Sequence, residues 1–313
     1  MQLTFGLMLV TLITLASAPP TDRDPYLSKT FTMEGRGDLL VETSGGSIEV
    51  TGQSGNRVEV DMFVRKNGSW GNWFSSDDDN EDLSEYLEDY DIDISQNGNQ
   101  ITASAKRRGK GWGNNKVSIS FVVRVPKDIS TDLSTSGGSI SVADVSGSHD
   151  VRTSGGSLTF EDVTGTTEAR TSGGSINVED YSGTLDAKTS GGSIRVRDSE
   201  GQIAVNTSGG GITIDDVRGS VEAYTSGGSI KADIISLEDQ LTLKTSGGSI
   251  NATIPSGLGL DLNLSGNRVN TELQNFTGKS EKNNIQGSIN GGGIEVTMRT
   301  SGGSVNLDYH AGS

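Results

Sequence analysis

Trp70, Trp73, Phe74 and Trp112 are the first residues that could do chemistry. They include all three tryptophans of the chain and fall in one polar stretch. Exposed aromatic rings supply contact area for a glycan or a protein. Asp77 to Asp93 follows with ten carboxylates. Within it, Asp77-Asp78-Asp79-Asn80-Glu81-Asp82 has the oxygen density of a calcium loop, but Asp82 stands where an EF-hand requires glycine. A second row of acids, Asp144, Asp162, Asp180, Asp198 and Asp216, recurs at an even spacing. A calcium-binding β-roll would need Gly-Gly-x-Gly-x-Asp, whereas here Gly-Gly is followed by Ser-Ile-x-Val-x-Asp. Adjacent acids at Glu161-Asp162, Glu179-Asp180 and Asp215-Asp216 suggest the paired carboxylates of glycoside hydrolysis. Each pair occupies the same place in a repeat, so none marks a unique centre.

Other chemistry is scarce. The absence of cysteine removes disulfides, thiolate metal sites, a Cys nucleophile and a lipid-modified N-terminal cysteine. His149 and His310 are far apart in sequence and offer little for a metal centre or a triad. No catalytic, cofactor-binding or metal residue is assigned, and no cofactor is expected. The net charge of −16 argues against nucleic acid, since phosphate binding needs clustered Lys and Arg.

A repeat must position all of these residues. Thr-Ser-Gly-Gly begins at Thr135, Thr153, Thr171, Thr189, Thr207 and Thr225, an 18-residue period held without a slip. A longer step leads to Thr245, and outliers stand at Thr43 and Thr300. A fixed period in this range marks a solenoid. Low hydrophobic content (31%) with 44 glycines would otherwise suggest disorder, but a solenoid coil needs only a thin inward row. In each unit the sixth and eighth positions are apolar, as in Leu158/Phe160 and Ile176/Val178, and positions 15 and 17 form a weaker pair, as in Leu185/Ala187. Alternation sends each pair to one side of a strand. Each unit therefore holds two short strands and two turns. Asp144-Val145-Ser146-Gly147 and its equivalents are expected as type I turns with Asp at i and Gly at i+3. Ser-Gly-Gly is expected to turn the other corner through positive φ. The identical period favours parallel coils over a meander, stacked ~4.8 Å apart. Strand parity points the threonines inward, which removes them as an ice-binding ladder.

Around the array, Leu3 to Ala18 is an apolar run ending Ala16-Ser17-Ala18, read as an export signal over 1–18. No later segment could span a bilayer. Residues 28–134 read as an N-terminal β region with an acidic, aromatic insertion at 67–93, residues 135–254 as solenoid repeats, and 255–313 as C-terminal coils. Leu83, Tyr86, Leu87 and Tyr90 have the spacing of one face of a short helix. Two readings of the insertion compete: the helix covers the open end of the solenoid, or the tryptophans are a contact surface. Val117, Ile119, Phe121, Val123 and Val125 form a strand that Pro126 ends.

Three stretches together carry a resemblance: Leu39-Leu40-Val41 with Gly45-Gly46-Ser47-Ile48-Glu49-Val50, the Val117–Val125 strand, and Ile289-Asn290-Gly291-Gly292-Gly293-Ile294 to Thr300-Ser301-Gly302-Gly303-Ser304-Val305. Over roughly residues 30 to 310 the chain resembles the bacterial β-strand-repeat putative adhesins, a domain family of unknown function, and is similar to the auto-transporter adhesin head domains. The resemblance implies a right-handed β-helix, an envelope or extracellular setting, and no catalytic residues to carry over. The expectation is thus an all-β, right-handed parallel β-helix (β-solenoid) with 18-residue coils and a short helical insertion near its N-terminal end. It is expected to be exported (periplasmic, cell-surface or secreted) and non-enzymatic, meeting a cell-envelope or extracellular glycan or protein. A glycan-active β-helix enzyme and a calcium-stabilised structural solenoid are the alternatives.

Overall fold

The computed structural model describes residues 24–67, 83–108 and 117–310; the expected export segment lies outside them. Every described element but one is a strand, and the strands join into one continuous sheet. The N-terminal part contains β1 (Leu27–Thr32), β2 (Gly37–Thr43), β3 (Ile48–Gln53), β4 (Arg57–Lys66), the single helical turn α1 (Ser84–Leu87), β5 (Tyr90–Asn97), β6 (Gln100–Arg107) and β7 (Val117–Pro126). The array follows with β8 (Ile129–Thr135), β9 (Ile140–Ala143), and β10 to β16 (Ser146–Thr153, Leu158–Glu161, Thr164–Thr171, Ile176–Glu179, Ser182–Thr189, Ile194–Arg197, Glu200–Thr207). Then come β17 (Ile212–Thr225), β18 (Ile230–Thr245), β19 (Ile250–Ile254), β20 (Leu260–Ser265), β21 (Arg268–Thr271), β22 (Phe276–Glu281), β23 (Asn284–Ile289), β24 (Ile294–Thr300) and β25 (Ser304–Tyr309).

Within the array each strand pairs in parallel with its counterpart in the next unit, Ser146 with Thr164 and Leu158 with Ile176, so like stacks on like. The expected coil, rather than a meander, is what forms. The sixth and eighth positions of each unit are buried, as are positions 15 and 17 in the units that keep the 18-residue step; after the longer step the same inward places fall to Leu241 and Leu243. One apolar column runs Phe121, Ile48, Ile140, Leu158, Ile176, Ile194, Ile212, Ile230, Ile250, Val305 and Val269 from one end to the other. The longer step before Thr245 is absorbed by a register shift, with Gly219 opposite Leu237 and Val221 opposite Leu241.

Both corners form for reasons other than the expected ones. Asp144, Asp162, Asp180, Asp198 and Asp216 are themselves left-handed, with φ between 47° and 60°. The expected type I turn, with Asp at i, needs helical dihedrals at its two central residues, but Ser146, Thr164, Ser182, Glu200 and Arg218 at its third position already lie in strands, so it is not formed. Asp is among the few non-glycine residues that reach this region at low cost. The left-handed step breaks strand parity, so the next residue turns inward: Val145, Val163, Tyr181, Ser199 and Val217 make a third buried row. The large Tyr181 lies beside the small Ser199, and its hydroxyl donates to a main-chain carbonyl of Gly165 or Thr184, 2.9 and 2.7 Å away.

At the Thr-Ser-Gly-Gly corner the glycines are not at positive φ. The second one is required by close approach: a methyl on Gly174 would collide with the Gly156 carbonyl of the preceding coil. The threonine points inward and closes the corner, Thr171 Oγ1 donating to Gly156 O at 2.8 Å and accepting the Gly174 N–H at 3.3 Å. The following serines bond coil to coil, Ser175 N–H to Ser157 Oγ at 3.2 Å.

The coils do not follow chain order at the ends. β2 lies between β6 and β8, and β3 between β7 and β9, so the first coil is flanked on both sides. At the other end β24 lies between β18 and β20, and β25 between β19 and β21, so the last strands are tucked inside. Antiparallel strands finish both ends: β5 on β6, β4 on β7 with β1 on β4, β23 on β20 and β22 on β23. Lys29 Nζ donates to the Ile94 carbonyl at 2.6 Å, occupying an acceptor on the β5 strand. The expected four-residue helical face is only partly realised. Tyr86 and Leu87 pack on the core from α1, but Tyr90 belongs to β5, where pairing with Arg107 claims it and its hydroxyl reaches Val117 O at 3.0 Å.

Candidate functional site

Trp70, Trp73, Phe74 and Trp112 lie outside the described residues, as does the Asp77–Asp82 run. The described residues flanking them are adjacent: Lys66 of β4 is the register partner of Val117 of β7. The Lys66 ammonium sits 4.8 Å from the centre of the Tyr86 ring.

The array itself presents rows. Just before each corner threonine stand Arg152, Arg170 and Lys188, stacked in register. With Ser154, Ser172, Ser190 and the threonines they line a groove of about 420 Å³ across successive coils. The cations are paired on the same face: Arg170 Nε lies 2.6 Å from Glu168, and Lys188 Nζ 2.7 Å from Asp186. Such exposed pairs contribute about 0–1 kcal/mol and yield readily to a competing ligand. Among the described residues, no three His, Cys, Asp or Glu side chains converge as a metal ion would require.

The two histidines have different fates. His149 occupies an inward position of the repeat and is fully buried, its Nδ1 3.0 Å from Thr131 Oγ1 and its Nε2 without a partner among the described residues. Burial, helped by the nearby Arg36 charge, pushes its pKa down to about 4. It belongs to the core. His310 instead follows β25, with Nε2 2.9 Å from Asp233 Oδ1 and 3.2 Å from the Ile234 carbonyl. The sequence separation of these partners had concealed the pair.

His310 also borders a second cavity, of about 560 Å³, beyond the end of the regular repeats. Four separated segments build it: residues 256–258, 272–275, 289–290 and 309–310. Asn275 and Asn290 hold its frame. Both are left-handed (φ 51° and 50°), Asn275 Nδ2 donates to Asn290 Oδ1 at 3.0 Å, and Asn290 Nδ2 donates to Leu258 O at 3.0 Å. Burial raises the Tyr309 phenol pKa, and its oxygen lies 3.5 Å from Thr271 Oγ1. Sequence reading missed this cavity; its only advance signal was the loss of the regular period after Ile254.

Stacked parallel coils with an unbroken interior column define a β-solenoid. The chain belongs to the Toastrack DUF4097 family, whose model matches residues 35–308, a domain family of unknown function as the resemblance implied. No curated protein matches it. Among solved structures it is similar to a putative cell adhesion protein from Clostridium sporogenes at 11% identity and TM-score 0.22, covering 91% of this chain and 99% of that one. It is also similar to a putative adhesin from Bacteroides fragilis at 12% identity and TM-score 0.40, covering 91% and 96%. No helix among the described residues is long and apolar enough to cross a membrane.

Proposed function

We propose that the chain is an exported, non-enzymatic interaction module of the cell envelope or surface, adhesin-like in its action. It is built as a right-handed parallel β-helix with 18-residue coils, with units at 28–134, 135–254 and 255–313 behind a signal at 1–18. The observation that carries this reading is the groove over Ser134 to Ser190, where hydroxyls and cations repeat in register. Rows at strand spacing suit an extended partner with a repeat of its own, a glycan above all. The apolar run Leu3 to Ala18 supports export. Trp70, Trp73, Phe74 and Trp112 are proposed as a second contact surface on the same module.

The test is a binding screen of the mature chain against envelope glycans and envelope proteins, repeated after deletion of Ser69 to Asp89. Binding that survives deletion assigns it to the coils; binding lost from a folded deletion variant assigns it to the aromatic segment. A deletion variant that unfolds marks the segment as an end cap. No binding to any component overturns the module reading, and release of reducing ends from a bound glycan overturns its non-enzymatic half.

A further inference from the structure

The cavity at the C-terminal end differs in kind from the rows of the array. Its lining is not repeated, since residues 256–258, 272–275, 289–290 and 309–310 come from four different turns and strand ends. Its frame is preformed by the two bonded left-handed asparagines and by the His310 N–H donating to Ile254 O at 2.9 Å. A preformed frame lowers the ordering cost of binding. Leu258, Ile289 and the Tyr309 ring supply apolar surface, while the exposed Glu272 carboxylate and Gln274 carboxamide have no hydrogen-bond partner among the described residues. His310 commits its Nε2–H to the Ile234 carbonyl, with Asp233 Oδ1 close by, which leaves Nδ1 without a partner among the described residues.

From this set we infer that the cavity binds a neutral pyranose residue of a glycan. The inference rests on the reading of the chain as a glycan-facing module and places a discrete sugar site upon it. A pyranose ring offers a C–H face to the tyrosine and neighbouring hydroxyls to a carboxylate and an amide, the combination present here. Aromatic residues suit ligands that are apolar on one side and wet on the other. A carboxylate accepts two hydroxyl protons at once, and those charge-assisted bonds are the stronger kind. The lining contains no lysine or arginine, and Glu272 would repel an acidic sugar, so selection against uronates is built in. The volume of about 560 Å³ lies within the range of small-ligand sites.

The experiment is amide chemical-shift titration of the mature full chain with triacetylchitotriose, cellotriose and trigalacturonate. Saturable shifts at residues 256–258, 272–275 and 289–290 are expected with at least one neutral trisaccharide, and trigalacturonate should bind at least tenfold more weakly. Glu272→Gln and Gln274→Ala alter side chains that have no hydrogen-bond partner among the described residues, so both variants should keep the parent melting temperature. Glu272→Gln should lose roughly tenfold in affinity, as expected for a lost charge-assisted bond, and Gln274→Ala about fivefold, in line with a neutral one. Silence of those amides toward both neutral sugars, equal affinity for trigalacturonate, or affinities within twofold of the parent in both variants would overturn the site. Shifts confined to Ser134 to Ser190 would also overturn it while leaving the module reading intact.

Discussion

At the scale of single residues, the two glycines of each corner look equivalent in sequence and are not equivalent in space. Gly174 faces the Gly156 carbonyl so closely that a methyl cannot enter, whereas the nearest atom to a methyl on Gly173 would be the Gly155 carbonyl at 3.4 Å. Gly174→Ala should therefore cost several times as much as Gly173→Ala, on the order of 2 kcal/mol or more against under 1. Paired urea melts of the two variants check this, and equal midpoints would remove the close-approach explanation. His149 makes a second prediction. The unfolded imidazole takes up its proton near the ordinary value of 6.5, the buried one only near 4. Between those values the unfolded chain holds more protons, so stability falls as pH drops from 6.5 toward 4 and is fully present above 6.5. The contribution at stake is roughly 3 kcal/mol. His149→Val should flatten the stability profile across that window, and an unchanged slope would count against the buried neutral imidazole.

Elements show how local choices set the coil. The inward pairs at positions 6 and 8 and at 15 and 17 were legible because strand alternation depends only on neighbours in sequence. The third inward row, Val145 to Val217, was not, because it exists through the left-handed aspartate that precedes each member. A left-handed residue and the first residue of a type I turn share the same letters, Asp followed three later by Gly. The column also stacks like charges coil upon coil, which opposes folding. Asp162→Asn keeps the left-handed preference and removes a charge, so it should raise stability by a few tenths of a kcal/mol, while Asp162→Val should lower it by about 1–2. Denaturant midpoints decide between this and an Asp whose carboxylate is indispensable to the turn. The candidate sites were the least legible. His310 meets Asp233 from a distant part of the chain, and the cavity beside them draws on turns that share no motif.

The whole molecule depends on neighbours that are distant in the chain. Interchangeable apolar letters, such as Ile48 stacking on both Phe121 and Ile140, could not announce that the first coil sits second in the stack. Removal of one internal unit, Thr171 to Lys188, should leave a cooperative fold, because Val163 and Ser199 would simply meet across the joint as their counterparts already do. Truncation after Gly293 should abolish it, because β24 and β25 separate β18 and β19 from β20 and β21. Circular dichroism melts of both variants test the contrast, and a cooperative melt of the truncated chain would contradict it. The tucked coils have a mechanical consequence as well. Tension applied through the chain ends, once past the β1 edge, does not peel an outermost strand away rung by rung. It must drag β2 or β25 lengthwise between two parallel partners, loading many hydrogen bonds together. A tether clamped at both ends in this way resists pulling far better than its modest coil interior would suggest.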